Sequence, residues 1–347
     1  MVAHRDLPPN RIVLRVAPFA AVPYGRFLDT LCVGCLQPCD ASVPRCSRCG
    51  VARHCASCAA SFAGRAHAHE CHAYERLKRN ERGLTLEHDD LRLLLRVLSR
   101  RRQSIDDAPT SSSRGVRGVT RDDDTREENR SSPQESHDPF LVAAAKDSDV
   151  IVDTFDDLDA LMSGAGDDDD DGRLDDVALA TIREVAKQCK FLVAAACRSS
   201  EETYARLLGK LQLNGFEITA AEVEAEAGAS GRENGDEEKA SSGKKQRDTA
   251  RAEEEGKINA AVLREPVGIG VFPSASRFNH SCEPNCAQRF DAFACVVVET
   301  TRHVRQGEEL TIPYVDVALD LEKRNERLER AFAFRCDCAR CARERRA

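Results

Sequence analysis

Residues 277–286 read RFNHSCEPNC, and the chemistry given to these ten positions decides how the whole chain is understood. Asn279-His280-Ser281 fits an N-glycosylation acceptor, the cysteines fit half of a metal site, and Asn279 with His280 fits the floor of an active site. The first reading requires a secreted chain. The opening residues, MVAHRDLPPNRIVL, hold neither an uninterrupted apolar run nor a cleavage pattern. No stretch approaches the ~20 apolar residues of a membrane span. The expectation is a soluble protein of the nucleus or cytoplasm, not secreted, in which clustered cysteines bind metal instead of forming disulfides. On that expectation the glycosylation reading drops out.

Composition narrows the field further. Aromatic residues make up 5% of the 347 residues, Trp is absent and charged residues reach 32%, a balance that predicts long unfolded stretches. Residues 103–138, rich in Ser, Arg and Asp, and residues 222–256 lack apolar periodicity and cannot offset chain entropy by burial. A net charge of −8 argues against direct nucleic-acid binding and favours basic partners. Helical spacing covers residues 90–100, where Leu91, Leu93, Leu94, Leu95 and Leu98 make a wide apolar face, and residues 177–213 in two pieces. Branched apolar runs predict strands over residues 12–17, 293–299 and 310–314. The folded material is therefore mixed α and β.

Residues 32–71 supply four ligand pairs within 40 residues: Cys32 with Cys35, Cys46 with Cys49, Cys55 with Cys58, and His67 with Cys71. Two residues between thiolates let one knuckle turn aim both sulfurs at one ion, so the block holds ligands for two tetrahedral zinc sites. It carries no basic recognition helix, which points to protein binding or structural support. At the other end Cys336, Cys338 and Cys341 give three thiolates, one short of a closed site, and Cys282 is the best fourth ligand.

The ligand order of the first block resembles the MYND zinc finger. Residues 267–286 with GEELTIPYVD and the terminal Cys-x-Cys-x2-Cys resemble the SET domain of protein lysine methyltransferases with its post-SET zinc loop. Together they make the chain similar to the SET–MYND family. The resemblance implies an α+β fold: a β-rich SET domain with an inserted finger, a helical insert and a post-SET loop. It implies interleaved finger sites, Cys32, Cys35, Cys55 and Cys58 on one ion and Cys46, Cys49, His67 and Cys71 on another. The family usually has three residues inside its third pair where this chain has two, which puts Cys58 in question; Cys39 and His69 lie nearby as spares. A third zinc falls to Cys282, Cys336, Cys338 and Cys341.

The resemblance also implies S-adenosylmethionine as cofactor, held by Asn279, His280, Asn214 and Phe334, with Tyr314 as the active-site tyrosine. Phe332 takes a lysine-channel position where many members carry Tyr. The partner implied is a lysine-bearing protein, histone or other, with peptide partners for the finger and a monomeric state. The implied divisions are 1–31 (the first part of SET), 32–71 (finger), 72–102 (helical connector), 103–176 (largely unfolded insertion) and 177–221 (helical insert and SET strand). Residues 222–256 (unfolded insertion), 257–321 (catalytic core) and 322–347 (post-SET loop) complete them. The Gly-rich element that opens SET domains is missing before Met1. A complete start elsewhere would leave an enzyme, and its loss would leave a zinc-held interaction scaffold.

Overall fold

Apolar runs become strands where branched side chains alternate or cluster, and the computed structural model describes residues 1–60, 62–106, 150–165, 174–219, 265–291 and 294–346. Strand β1 (Ile12–Ala17) matches the expected span. It is followed by β2 (Ala20–Pro23), buried throughout. After the finger come β3 (Ile151–Val152), β4 (Gly215–Thr219), β5 (Pro266–Val271), β6 (Asn279–His280), β7 (Cys286–Phe290), β8 (Val296–Thr300) and β9 (Thr311–Ile312). The strand expected over residues 293–299 is thus β8, shifted toward its C-terminal end, and Phe293 lies outside the described residues. The strand expected over 310–314 shrinks to the two residues that pair with β6, Leu310 before them donating its N–H to the Met1 carbonyl (2.9 Å).

The strands form three small sheets, ordered β3-β1-β8-β7, β2-β5-β4 and β6-β9. In the second, β5 runs antiparallel between β2 and β4, with Gly268 opposite Pro23 and Ile218. A Cβ at Gly268 would collide with the Val22 carbonyl oxygen, so this close approach requires glycine. The sheets share an apolar core built on Val16, Phe272, Phe278, Val296, Val298 and Ile312. A second, helical core lies beside it.

Helix α1 (Ala56–Ala59) packs among the first cysteines, and the second core is built from α2 (Phe62–Lys78), α3 (Asp89–Asp106), α4 (Phe155–Asp159), α5 (Asp176–Leu192) and α6 (Glu201–Asn214), with α7 (Leu321–Phe332) and α8 (Ala339–Glu344) following. Helix α3 runs well past the expected end at residue 100 and is buried continuously from Leu91 to Arg100, with Arg92, Arg96 and Arg100 included. Arg92 donates to the carbonyls of Pro23 (2.7 Å) and Leu86 (2.8 Å). Arg96 makes a bidentate pair with Glu70 of α2 (2.5 and 3.1 Å) and reaches the carbonyl of Val33 in the first knuckle (3.0 Å). Arg100 lies over the Phe19 ring. Recurring every four residues, these cations form one stripe on α3, in which Arg96 fastens the finger while Arg92 and Arg100 hold Pro23, Leu86 and Phe19.

Two expected divisions change. Helix α2 carries His67 and Cys71 and continues to Lys78, so the boundary at 71/72 falls inside a helix. The stretch 103–176 also contributes folded pieces. Residues 103–106 extend α3, and residues 150–165 pack on the core, with Leu158 fully buried. Asp153 accepts from the Ser274 backbone N–H (2.9 Å) and hydroxyl (2.5 Å), and Lys210 of α6 donates to the carbonyls of Asp159 and Leu161. The expected insertion 222–256 and the acidic run 167–171 lie outside the described residues, and no described helix is long and apolar enough to cross a membrane.

Glu70 is 0% and Arg96 3% exposed. Removing one partner strands a buried charge, so Glu70→Ala is expected to lower unfolding free energy by about 3–5 kcal/mol. The paired change Glu70→Leu with Arg96→Met should recover part of that loss. Denaturant titrations of both zinc-replete variants check this.

Candidate functional site

Three groups of ligand side chains converge: Cys32, Cys35, Cys55 and Cys58; Cys46, Cys49, His67 and Cys71; and Cys282, Cys336, Cys338 and Cys341, the ligand atoms of each lying within 4.8 Å of one another. A zinc ion with ~2.3 Å bonds to sulfur and ~2.0 Å to nitrogen sets tetrahedral ligands about 3.8 Å apart for two sulfurs and about 3.5 Å for sulfur and nitrogen. The observed separations are 3.9 Å for Cys35 and Cys55, 3.7 Å for Cys46 and Cys71, 3.6 Å for Cys49 Sγ and His67 Nε2, and 3.5 Å for Cys282 and Cys341. The donor sets and spacings fit zinc. Burial lowers the His67 pKa to about 4, which keeps the imidazole neutral, as ligation requires.

Local backbone explains the knuckles. The N–H groups of Gly34 and Cys55 point at the Cys32 sulfur (3.4 and 3.3 Å). Cys55 caps α1, so the single turn that follows brings Cys58 back over it, fully buried. The two-residue spacing of this pair is thus absorbed by one helical turn, and Cys58 joins its group. Cys39 packs beside that group and His69 sits elsewhere on α2, neither of them within a ligand cluster.

The third group is braced by a residue the sequence reading did not single out. Arg324 of α7 is fully buried, donates from Nε to Cys282 Sγ (3.1 Å), approaches Cys341 Sγ (3.7 Å) and pairs with Glu344. Four thiolates around a divalent ion leave an excess of two negative charges, and a buried guanidinium offsets part of it. Nothing in the local motif announces this, since the cysteines it serves lie 42 and 17 residues away.

The pairing of β6 with β9 is held by Asn285, also missed although it sits inside the opening stretch. Its side chain, 2% exposed, accepts from the Thr311 N–H (2.9 Å) and donates to the carbonyl of Glu309 (2.7 Å). This peg fixes β6 beside β9, with Asn279 opposite Thr311 and His280 opposite Ile312. Asn279 then donates to the Glu309 carboxylate (2.7 Å) and remains exposed. His280 Nδ1 accepts from the Tyr314 backbone N–H (3.0 Å), so Nε2 carries the ring proton and points at Cys282 Sγ (3.3 Å).

Tyr314 is the hinge between two environments. On one side its ring meets His280 (5.5 Å between centroids) and Phe334 (6.3 Å), which also contact each other at 6.1 Å. On the other it meets Phe332 at 4.8 Å. Its hydroxyl donates to the Phe278 carbonyl (2.6 Å). Burial, then the nearby Glu309 charge, pushes that hydroxyl up to about 12, so it stays protonated at neutral pH.

Tyr314 and Phe332 line a cavity of about 1020 Å³ with Asn214, Phe216, Glu217 and Gln288. Asn214 also donates from Nδ2 to the carbonyls of Lys210 (2.8 Å) and Met162 (3.1 Å). The Gln288 amide oxygen is buried with no donor among the described residues, an acceptor left for a ligand. Asn279, His280 and Phe334 do not line this cavity, so the expected site residues fall into two sets that share Tyr314.

The SET domain family model matches residues 119–315. A stretch of 77 residues is 42% identical to the histone-lysine N-methyltransferase SMYD3 of Mus musculus, covering 22% of this chain and 18% of that protein. The same identity and shares hold for SMYD3 of Homo sapiens. Another 77-residue match is 38% identical to the histone-lysine N-methyltransferase ASHR1 of Arabidopsis thaliana, covering 22% of this chain and 16% of that protein. The chain thus spans less than a fifth of the length of these relatives.

With three ligand groups, metal analysis is expected to return three zinc ions per chain. Arg324→Met should release one of them to a mild chelator at least tenfold faster than the native chain does, the other two leaving at unchanged rates, and Arg324→Lys should be intermediate. Absorbance of a zinc-binding dye during release reads all three.

Proposed function

Because this chain belongs to the SET domain family, we propose that it is a protein-lysine N-methyltransferase using S-adenosylmethionine. The observation that carries this reading is Tyr314, whose ring forms the wall between the His280–Phe334 pair and the cavity lined by Phe332. When bound, S-adenosylmethionine supplies a methyl group made electrophilic by its sulfonium. Asn279, His280, Phe334 and Tyr314 are the residues that would hold it, with Asn214 reaching it only from the cavity side of Tyr314. The Glu309 carboxylate beside Asn279 suits a cationic ligand, and the paired rings of His280 and Phe334 suit a flat heterocycle.

The cavity receives the lysine. A free lysine of pKa about 10.4 is uncharged in only about one molecule in 2,500 at pH 7. Burying its head against Tyr314, Phe332 and Phe216 disfavours the ammonium, whose proton leaves to solvent. Tyr314 is not the base, because its hydroxyl is held protonated on the Phe278 carbonyl. The oxygen keeps lone pairs free to accept an N–H from the amine and orient it, and the unpaired Gln288 oxygen offers a second acceptor. Alignment of nucleophile and methyl, not proton abstraction, supplies most of the rate. The metal groups have no open position and serve as structure.

Labelled S-adenosylmethionine incubated with core histones and with other proteins should give label that Tyr314→Phe lowers about a hundredfold while zinc content stays at three per chain. Label independent of Tyr314, or none on any protein, would remove this reading. The rate should climb with pH from 7 to 9 as the substrate amine deprotonates, with no break from Tyr314 below about pH 10, since that hydroxyl titrates near 12.

Phe332 lacks the hydroxyl that a tyrosine would direct into the lysine channel. The room left near the amine supports addition of more than one methyl. Phe332→Tyr is expected to shift products toward monomethyl-lysine, read by intact-peptide mass spectrometry.

A further inference from the structure

We propose that the cavity selects target lysines flanked on one side by acidic residues, and that Arg327 and Arg330 read that flank. The inference rests on the reading above for what happens to the lysine, and on its own observations for what binds.

Helices α7 and α8 are crowded with cations, and neighbours of this pair are neutralised internally: Arg324 by Glu344, Arg335 by Glu329 and Arg343 by Glu283. Arg327 and Arg330 differ from them. They lie three residues apart on one face of α7, both exposed and both lining the cavity, and neither has a carboxylate partner among the described residues. Two forked donors left unpaired at a cavity mouth match carboxylates arriving with a ligand.

The rest of the lining has the opposite sign. Glu217 on β4 and Asp316, two residues after Tyr314, face the same cavity. Each is held by a partner, the Tyr24 hydroxyl for Glu217 (3.2 Å) and the Ala318 N–H for Asp316 (2.9 Å), but neither is neutralised by a cation among the described residues. The mouth is therefore bipolar: basic along α7, acidic elsewhere. A uniformly basic segment is repelled along α7. A segment with acidic residues on one side of its lysine satisfies Arg327 and Arg330, while Glu217 and Asp316 draw the ammonium in on entry, before its head is desolvated against Tyr314, Phe332 and Phe216.

The test uses the full zinc-loaded chain and fluorescent peptides of equal length, each with one lysine. Two Glu residues stand before the lysine, after it, or are replaced by Gln or by Lys. Fluorescence anisotropy should show one Glu placement binding about five-fold tighter than the Gln peptide, with the gain lost at about 0.5 M salt. Arg327→Glu with Arg330→Glu should turn the preference toward the Lys-flanked peptide, and Arg→Lys at both positions should keep most of it. The single reversals, with zinc content and circular dichroism as folding checks, stand in should the double variant misfold. Equal binding of Glu and Gln peptides, or a preference untouched by charge reversal, would overturn the proposal. Selective binding with no methyl label on any peptide would leave it standing and remove the methyl-transfer reading, and label placed equally on every peptide would do the reverse.

Discussion

One sulfur atom, that of Cys282, holds the candidate site together. It meets Cys341 in the third ligand group, takes a hydrogen bond from the buried Arg324, and faces the ring nitrogen of His280. His280 in turn accepts the backbone N–H of Tyr314. A thiolate is a strong acceptor only while its charge is balanced, and a divalent ion bound here would share that task with the Arg324 guanidinium. Without an ion the four sulfurs would have only Arg324, which reaches Cys282 and Cys341, to balance their charge. The helices α7 and α8 would lose their anchor, and with them Phe332, Phe334, Arg327 and Arg330.

A second buried charge plays the same part at the other end. Arg96 and Glu70 meet where α3, α2, β2 and the first knuckle touch. The finger is thus fastened by directional bonds at an otherwise apolar junction. Directional contacts fix orientation in a way that greasy contacts alone do not. Both halves of the molecule are positioned by an arginine with nowhere to go but its partners.

The site itself is divided by Tyr314. Rings and polar groups suited to a cationic, partly aromatic ligand lie on one side, and an amphipathic cavity lies on the other. A phenol whose proton is locked on a carbonyl is a poor base and a good spacer, consistent with chemistry that depends on placement. The folded piece at residues 150–165 supports this wall from behind, since Asp153 binds Ser274 only four residues before Phe278.

The ligand knuckles were legible in the sequence because their geometry is local: Cys-x2-Cys predicts converging sulfurs whatever surrounds it. Helices α3, α5 and α6 and strand β1 were legible for the same reason, their apolar spacing being a property of neighbouring residues. So was the grouping of Asn279, His280 and Cys282, through the motif that contains them. Which pairs share an ion, by contrast, came from resemblance and is decided by packing. The roles of Arg324, Asn285 and Arg96 were hidden, since each acts on groups 17 to 75 residues away. The orphan oxygen of Gln288 and the unpaired charges of Arg327 and Arg330 are defined by what fails to reach them, and only a folded chain has neighbours to be missing. Sequence alone determined the metal chemistry and the main helices. Tertiary structure decided which charges are answered within the protein and which are left facing the cavity.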